Sequence, residues 1–441
     1  MLPSKRIDYI SMPVTGLSGR TQVPGDKSIS HRAIIFGAIA EGVTHITGFL
    51  DSADTIATAN VFREMGVRID RNVDSMTVHG VGLRGLKPSS APLYFGNSGT
   101  SVRLLSGVLA GQRFNSELIG DESLMQRPMR RVVLPLKEMG ANIDCTDMGT
   151  LPMRITGGNQ LHGITYKTPV ASAQLKSCLL LAGLYANSAT TIIEPAVTRD
   201  HTERMLPGFG CKVSTIDHTV VLQPGALSGT RVNVPGDISS ATFFMVAASI
   251  CPGADIVLEN IGINPTRHAV IEILQRMGAD IRVENLTGNQ NVEPVANIQV
   301  KYRPLSAIII PSHLVPIAID EIPALLIAAA YAQGTTILRD AAELRVKESD
   351  RIDAMAEGLT RLGVSVITRP DGMEVTGGSI QGGTVNSFGD HRIAMAFAVS
   401  AIGAHAPVKV QDCINVNTSF PGFVELANSL GMNIATEQSD V

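Results

Sequence analysis

The chain has 441 residues, of which 44% are hydrophobic and 17% charged, and its formal net charge is −4 at pH 7. This length predicts two or three domains with substantial cores. The slightly acidic balance and the absence of Trp argue against a nucleic-acid-binding surface. The most apolar stretch, residues 307–332, contains Pro311, Pro316 and Pro323, so we expect no membrane span.

The cysteines and the N-terminal sequence favour a cytoplasmic protein. The five cysteines are scattered without a C-x-x-C pair, and Cys178 and Cys251 lie in apolar runs typical of a core. Residues 1–12 contain no apolar segment of a secretory signal. No H-E-x-x-H motif or other zinc-ligand spacing occurs, so we expect no metal.

The motif PGDKSISHR, residues 24–32, has an echo in residues 234–240, VPGDISS. Each copy contains a Pro-Gly turn, an Asp placed to cap a helix, and then a long apolar run. The repetition predicts two similar domains. Lys27, Ser28 and Arg32 in the first copy, against Ile238 in the second, indicate that the first copy binds an anion.

A finer repeat, a helix ending at Gly and followed by a strand, occurs six times at a spacing of about 70 residues. It predicts a six-unit α/β architecture, although this order is also common in α/β proteins generally. The helix–Gly–strand tags are 65–69, 139–143, 209–213, 277–281, 362–366 and 430–434. Each is preceded by a strand tag, at 41–49, 111–121, 187–195, 253–261, 334–341 and 405–412.

A glycine motif between two of these tags resembles a dinucleotide fingerprint. Gly80, Gly82 and Gly85 match G-x-G-x-x-G after a probable strand, but residues 86–92 contain two prolines where a helix would have to begin. We therefore interpret this segment as a turn-rich loop. A dehydrogenase is disfavoured for the same reason.

Basic residues gather in the first two turns of the long apolar helices. A cation there opposes the helix dipole, and it is explained if an anion binds to the same backbone N–H groups. A solvated helix end is the alternative at any single position, and capping alone explains Asp237 and Ser239. The basic residues concerned are Lys27, Arg32, Arg103, Lys176 and Arg392.

Three further charged clusters lie at residues 125–131, 199–204 and 343–351. In the last of these, Lys347 and Arg351 are four residues apart, which predicts that they share one face of a helix with Glu348 beside them. Arg130, Arg131 and Arg204 are interpreted as solvated surface. Asp320 is either a functional carboxylate or only the N-cap of the following apolar helix.

These motifs together resemble the 5-enolpyruvylshikimate-3-phosphate (EPSP) synthase family, class II branch, over essentially the whole chain. Its motifs occur in order, and they are PGDKSISHR (24–32), GNSGTSVRLL (96–105), QRPM (126–129), SAQLKS (172–177), RDHTE (199–203), PGDISSA (235–241), NPTR (264–267), RVKESDR (345–351) and GDHRIAM (389–395). The resemblance implies an inside-out α/β barrel in two domains, with three βαβαββ units per domain and a hinge between them. One domain would span residues 26–235, and the other 1–25 plus 236–441.

The resemblance also implies a reaction. The family transfers the enolpyruvyl group of phosphoenolpyruvate to the 5-hydroxyl of shikimate 3-phosphate and releases phosphate, on the pathway to chorismate and the aromatic amino acids. It uses no cofactor and no metal. We therefore expect two small anionic substrates, a monomer, no nucleic-acid or membrane partner, and competition by the inhibitor glyphosate.

The family's functional residues map onto this sequence as follows. The groups for proton transfer would be Lys27, Asp320 and Glu348, with His391 as a possible participant. Shikimate 3-phosphate would be held by Lys27, Ser28, Arg32, Ser172, Ala173, Gln174, Arg199, Asp320 and Lys347. Phosphoenolpyruvate would be held by Lys27, Asn97, Gly99, Arg127, Gln174, Arg351 and Arg392.

Some positions depart from class I members, and rival functions remain. Thr418 replaces a lysine near phosphoenolpyruvate, and Leu104 replaces a proline, as in class II. In some relatives a methyl side chain at the position of Gly99 excludes glyphosate, and glycine has no such group. UDP-N-acetylglucosamine enolpyruvyl transferase is one rival, although residues 112–131 lack the reactive Cys of that family. A non-catalytic protein that binds phospholigands is the other.

Overall fold

The structure, a computed structural model, describes residues 5–72, 75–286 and 293–440. Within these residues the α-helices are α1 (Lys27–Ile39), α2 (Ala53–Glu64), α3 (Gly99–Ala110), α4 (Glu122–Met125), α5 (Arg130–Glu138), α6 (Ala173–Gly183), α7 (His201–Met205), α8 (Ile238–Ile250), α9 (Ala269–Arg276), α10 (Ile322–Tyr331), α11 (Arg351–Arg361), α12 (His391–Ser400) and α13 (Phe423–Ser429). Short 3₁₀ helices occupy Leu206–Phe209, Ser312–Leu314, Ala342–Val346, Ala401–Gly403 and Ile414–Thr418.

The strands of the described residues are numbered along the chain. They are β1 (Lys5–Ser11), β2 (Ser18–Thr21), β3 (Ala40–Thr47), β4 (Arg68–Arg71), β5 (Ser75–Val81), β6 (Leu93–Tyr94), β7 (Ser116–Ile119), β8 (Asn142–Asp144), β9 (Met153–Thr156), β10 (Thr165–Lys167), β11 (Thr190–Ile193), β12 (Val213–Ile216), β13 (Thr219–Leu222), β14 (Leu227–Ser228), β15 (Arg231–Asn233), β16 (Asp255–Gly262), β17 (Asp280–Asn285), β18 (Val295–Lys301), β19 (Thr335–Leu338), β20 (Ser365–Arg369), β21 (Gly372–Thr376), β22 (Gly383–Asn386), β23 (Val408–Gln411) and β24 (Ile434–Asp440).

Residue contacts divide the chain into two compact units. The described residues of the first unit lie within Gly25–Val234 and Gln290–Glu293, and those of the second within Met1–Pro24, Pro235–Asn289 and Pro294–Val441. Each unit has its own hydrophobic cluster. No helix of the described residues is long and apolar enough to cross a membrane.

Each unit contains three sheets with a shared plan. In every sheet one strand lies between two neighbours and is antiparallel to both, as β5 is to β3 and β4. The first unit has the orders β14-β3-β5-β4 (β15 also pairs with β3), β6-β7-β9-β8 and β10-β11-β13-β12. The second has β17-β18-β16-β2, β19-β21-β20 and β22-β23-β1-β24. The six repeated tags therefore correspond to six sheets.

The N-terminal strand completes the last of these sheets. β1 lies between β23 and β24, antiparallel to both, and β2 extends another sheet of the second unit by pairing parallel with β16. The first residues of the chain thus fold with its second half.

The long apolar helices lie inside the units and the sheets lie outside. Every residue of α8 is buried, and α1, α3, α6, α10 and α12 are buried over almost all of their length, as expected for helices that are apolar all round. Strands such as β3 and β9 are buried on one face and exposed on the other. These arrangements, together with the structural relatives given below, confirm the predicted fold class.

The tag glycines end their helices in the left-handed conformation, where a residue without Cβ is not strained. Their φ values are +87° for Gly66, +95° for Gly140, +86° for Gly210, +98° for Gly278, +86° for Gly363 and +103° for Gly431. The helix–Gly–strand interpretation is therefore confirmed. The dinucleotide-like glycines, in contrast, lie at the end of β5 and in the turn after it, with no helix beginning at Gly85.

Candidate active site

In the first unit, three buried helices begin with small or acidic N-caps. The Asp26 side chain accepts a hydrogen bond from Ile29 N at 2.9 Å, Ser98 Oγ from Ser101 N at 3.2 Å, and Ser172 Oγ from Leu175 N at 3.3 Å. Two of these three caps are neutral serines. The positive ends of α3 and α6 thus carry no acidic cap, which suits them to an external anion.

Lys27 and Arg32 both lie on α1 and are both predicted to bind substrate, but they contact different residues. Lys27 Nζ forms an ion pair with the carboxylate of Asp54 on α2. Arg32 is buried and donates from Nε to Thr202 Oγ1 (2.8 Å), from Nη1 to the Ser28 carbonyl (2.9 Å) and from Nη2 to Ser177 Oγ (2.7 Å). Burial, opposed by nearby acids, lowers the pKa of Arg32 to about 10. Arg32 therefore also fixes the backbone at Ser28.

The segment before α3 brings together three residues predicted to bind phosphoenolpyruvate. Arg127 Nη2 donates to Asn97 Oδ1, and Asn97 Nδ2 donates to Asp121 Oδ2 at 2.7 Å. A Cβ added at Gly99 would lie 2.9 Å from Arg103 Nη1 and 3.2 Å from Arg127 Nη1. Gly99 is thus the residue that lets two guanidinium groups approach the start of a helix.

Gln174 joins the starts of α3 and α6. Its Oε1 accepts from Arg103 Nη1 at 2.7 Å, and its Nε2 donates to Thr100 Oγ1 at 3.1 Å. Ala173, beside it, is the first residue of α6, and Arg199 lies two residues before α7, close enough to lower the pKa of Arg32 by its charge.

Lys176 does not serve the predicted anion site. Its side chain is 1% exposed, and Nζ lies 2.7 Å from both Glu194 Oε2 and Glu203 Oε1. Burial raises the pKa of Glu203, although the positive charge of Lys176 opposes that shift. The excess of positive charge at the start of α6 is thus neutralised inside the protein, and the prediction for Lys176 is wrong.

In the second unit, the corresponding helices begin after acidic residues. Asp237 precedes α8 and accepts from Ser239 N at 2.8 Å, Glu321 precedes α10, and Asp390 precedes α12 and accepts from Arg392 N at 2.9 Å. Arg267 Nη2 donates to Ser239 Oγ at 2.6 Å and lies 3.6 Å from Glu321 Oε1. All three of these helices thus begin after a carboxylate, whereas in the first unit only α1 does and α3 and α6 begin after serines.

Arg351 is the centre of the second unit's cluster. Its guanidinium is buried, and Nε donates to Asp390 Oδ2 at 2.8 Å. Nη2 donates to Glu348 Oε2 at 2.6 Å, and Nη1 lies 3.4 Å from Asp320 Oδ1. Burial opposes the charge of this guanidinium, but the three carboxylates prevail, so the pKa of Arg351 is raised.

Lys347 and Arg392 complete the cluster around Asp320. Lys347 Nζ lies 3.3 Å from Asp320 Oδ1, and Arg392 Nη1 donates to the Asp320 carbonyl at 2.9 Å. All the residues predicted for this unit are therefore gathered here. His391, at the first position of α12, is buried, and its charge contributes to lowering the pKa of Asp390.

One local prediction in this cluster is wrong, and one of the two alternatives for Asp320 is excluded. Lys347 and Glu348 do not share a helix face with Arg351, because α11 begins at Arg351 with Asp350 as its N-cap. Asp320 is not the cap of α10, since Glu321 holds that position without a capping hydrogen bond from its side chain. Both differences leave the side chains in the cluster but place them on the segments before the helices.

The prediction from sequence omitted three acidic residues that contact predicted site residues. They are Asp54, beside Lys27 in the first unit, and Glu321 and Asp390, beside Arg392 and Arg351 in the second. Asp54 is the second residue of α2, and only the fold brings it to Lys27. An acidic residue before each apolar helix of the second unit was a visible signal for Glu321 and Asp390, but neither residue was assigned to the site.

The chain is similar to known proteins over nearly its full length. Residues 12–426 match the family of EPSP synthase (3-phosphoshikimate 1-carboxyvinyltransferase). A 3-phosphoshikimate 1-carboxyvinyltransferase from Methylococcus capsulatus is 57% identical over 98% of this chain and 99% of the relative. One from Halorhodospira halophila is 58% identical over 96% of each. The solved EPSP synthase from Acinetobacter baumannii has a TM-score of 0.89 at 51% identity and covers 98% of this chain and 100% of that one.

The fold and these matches therefore identify a two-domain α/β transferase of the carboxyvinyl type. Within that class, the chain belongs to the EPSP synthase family. The resemblance stated from the sequence motifs is confirmed.

Proposed function

We propose that this chain catalyses the reaction for which its relatives are named, with Lys27, Asp320 and Glu348 as the proton-transfer groups. The enolpyruvyl group of phosphoenolpyruvate moves to the 5-hydroxyl of shikimate 3-phosphate, and phosphate leaves. The reaction is a step in the synthesis of chorismate and the aromatic amino acids. Membership of the family over residues 12–426 supports this function.

One observation supports the assignment of the carboxylates. Arg351 engages Glu348 through Nη2 at 2.6 Å and Asp320 through Nη1 at 3.4 Å. One buried guanidinium therefore holds two carboxylates on different nitrogens. The reaction needs two such groups, because one proton leaves a hydroxyl while another arrives at carbon.

The bond changes follow from the two stages of the reaction. In the addition, the 5-hydroxyl loses its proton to Asp320, its oxygen bonds to C2 of phosphoenolpyruvate, and the methylene carbon gains a proton from Glu348 or Lys27. The product is a tetrahedral intermediate with a new methyl group. In the elimination, a proton returns from that methyl group to Glu348 or Lys27, the double bond forms again, the C2–O bond to phosphate breaks, and the proton held by Asp320 leaves with the phosphate.

The first unit supplies the groups proposed for shikimate 3-phosphate. They combine side-chain donors with the backbone N–H groups at the starts of α1 and α6. Arg32 uses three of its five N–H donors in the hydrogen bonds given above. The groups proposed in this unit are Lys27, Ser28, Arg32, Ser172, Ala173, Gln174 and Arg199, with Asp320 and Lys347 of the second unit on the hydroxyl side.

Three of the seven residues proposed for phosphoenolpyruvate are arginines, whose guanidinium groups suit both its phosphate and its carboxylate. Arg127 and Gly99 lie together at the start of α3, and Arg351 and Arg392 lie together around Asp320. The assigned set is Lys27, Asn97, Gly99, Arg127, Gln174, Arg351 and Arg392. The same proposal includes competition between glyphosate and phosphoenolpyruvate, with Gly99 leaving room for the inhibitor.

The division of labour is tested through hydrogen exchange. The wild-type enzyme is incubated in D₂O with both substrates, and deuterium in the methylene group of recovered phosphoenolpyruvate is measured by mass spectrometry. In Glu348→Gln we expect exchange to fall by about a hundredfold or more, the usual size of a general acid–base contribution. Glu357→Gln, an exposed acid on α11, is the control. Exchange at the wild-type rate in Glu348→Gln would remove Glu348 from the proposal.

The predicted cytoplasmic location, the monomeric state and the absence of cofactors remain predictions from the sequence. The proposed domain roles place most shikimate 3-phosphate contacts in residues 26–235. They place Asp320, Lys347, Glu348 and Arg392 in the other domain.

A further inference from the structure

The ammonium group of Lys27 has a carboxylate partner on a different helix. Lys27 is the first residue of α1, Asp54 is the second residue of α2, and their side chains form an ion pair. The Asp54 side chain is 10% exposed and that of Lys27 is 24% exposed. The pair thus lies at the edge of the protein interior, where solvent screens it less than it screens a surface pair.

The helix that carries Asp54 is held firmly at this end. Ser52 caps α2 and forms a capping box with Thr55, whose Oγ1 also donates to the Leu50 carbonyl at 2.6 Å. One turn further along, Thr58 Oγ1 lies 2.8 Å from His31 Nδ1 on α1. Two contacts one turn apart, Lys27–Asp54 and His31–Thr58, therefore fix the register of α2 against α1.

We infer that Asp54 is a positioning residue for the reaction: it holds Lys27 Nζ at the start of α1, where Lys27 meets the substrates. This inference rests on the proposed function of Lys27. A lysine ammonium is carried by a flexible four-carbon stem, and proton transfer requires it within hydrogen-bond distance of the reacting atoms. A carboxylate fixed beside Nζ restricts the positions that Nζ occupies, which lowers the entropic cost of reaching the reactive arrangement.

A structural role for Asp54 is the alternative explanation of the same contact. An acidic residue in the first turn of a helix stabilises that helix through its dipole, whatever lies across from it. Both roles predict that substitution of Asp54 lowers kcat/KM. Only the positioning role requires Lys27 for this effect, so a double-mutant cycle separates the two roles.

The experiment measures kcat/KM for transfer from phosphoenolpyruvate to shikimate 3-phosphate in the full chain. The variants are Asp54→Asn, Asp54→Glu, Lys27→Met and the double variant Lys27→Met/Asp54→Asn. Glu64→Gln, the same change of charge on the exposed last residue of α2, is the matched control. Thermal unfolding of each variant establishes that it is folded.

We expect Asp54→Asn to lose about ten- to a hundredfold in kcat/KM, the scale of a misplaced catalytic group. We expect Asp54→Glu to recover most of that loss, because it restores a carboxylate. In the Lys27→Met background, Asp54→Asn should change the rate by less than about twofold, since the residue through which it acts is gone.

Two results would overturn the inference. One is an Asp54→Asn rate equal to that of Glu64→Gln. The other is an equal loss with and without Lys27, which would assign Asp54 a structural role. Failure of the proposed function looks different: Lys27→Met itself would then retain the wild-type rate.

Discussion

Arg351 donates from Nε to Oδ2 of Asp390 over 2.8 Å, and both side chains are withdrawn from solvent. Burial alone would raise the pKa of Asp390, but the charge and hydrogen bond of Arg351 outweigh it, so the pKa lies below its ordinary value of 3.8. The ion pair anchors the same guanidinium that holds Asp320 and Glu348. Stability and the geometry of the site therefore depend on one contact.

We expect Asp390→Asn to lower the free energy of unfolding by about 3–5 kcal/mol, as when one partner of a buried ion pair is removed. Urea denaturation at pH 7 measures this loss. Because the folded pKa is lowered, the stability that Asp390 contributes is complete above pH 3.8 and is lost only as the pH falls through the folded pKa. Asp353→Asn, an exposed acid on α11, should change stability by less than about 1 kcal/mol. Equal effects of the two substitutions would contradict this account.

For Lys176 we expect a change in stability without a change in substrate affinity. Lys176→Met leaves Glu194 and Glu203 buried without their cation, so the free energy of unfolding should fall by about 3–5 kcal/mol. The KM for shikimate 3-phosphate should stay within about twofold in the folded protein, because a buried pair gives the substrate no contact. The exposed Lys167→Met is the control. A large rise in KM at unchanged stability would restore Lys176 to the anion site.

At Gly99 we expect a methyl group to weaken phosphoenolpyruvate binding. In Gly99→Ala the new Cβ would lie 2.9 Å from Arg103 Nη1 and 3.2 Å from Arg127 Nη1, so both guanidiniums must shift. The KM for phosphoenolpyruvate should rise about tenfold, and inhibition by glyphosate should weaken by more than that. Gly225→Ala, which meets no atom within 4 Å, should behave as wild type. Unchanged inhibition in Gly99→Ala, or millimolar glyphosate without effect on the wild type at subsaturating phosphoenolpyruvate, would contradict the assignment.

His31 should make stability depend on pH. Burial, and after it the charge of Lys27, lowers the pKa of His31 from 6.5 to about 3. The folded protein thus keeps this ring neutral, so its contribution is complete above pH 6.5 and declines as the pH falls towards 3. In His31→Asn, the unfolding midpoint should fall less between pH 7 and pH 4 than in the wild type. The exposed His313→Asn should retain the wild-type slope. A wild-type slope in His31→Asn would indicate that His31 is not buried as a neutral ring.

The sequence predicts the fold well because the repeat is local. A helix end, a Gly and a strand lie within a few residues of one another, and Gly66 and Gly431 both adopt a positive φ although they lie in different units. The position of β1 between β23 and β24 is different in kind. Nothing near residue 5 indicates that its partners lie some four hundred residues away. The family resemblance implied only that residues 1–25 belong to the same domain as residues 236–441.

In the candidate sites, too, local features were predictable from the sequence and long-range contacts were not. Residues at helix starts, such as Ser172 and Arg392, were identifiable because capping and charge are readable at one position. The partners of these residues were not, since Asp54 reaches Lys27, and Glu194 reaches Lys176, only through tertiary packing. Neutralisation of Lys176 is therefore invisible in a list of basic residues, which explains that error.

The most direct test of the central claim is phosphate release by the purified protein with phosphoenolpyruvate and each of two acceptors. We expect release with shikimate 3-phosphate and none with UDP-N-acetylglucosamine. Mass spectrometry of the first reaction should show shikimate 3-phosphate carrying an enolpyruvyl group. Release with the sugar nucleotide alone would contradict the assigned acceptor. Release with neither, from folded protein that binds phosphoenolpyruvate, would contradict catalysis itself.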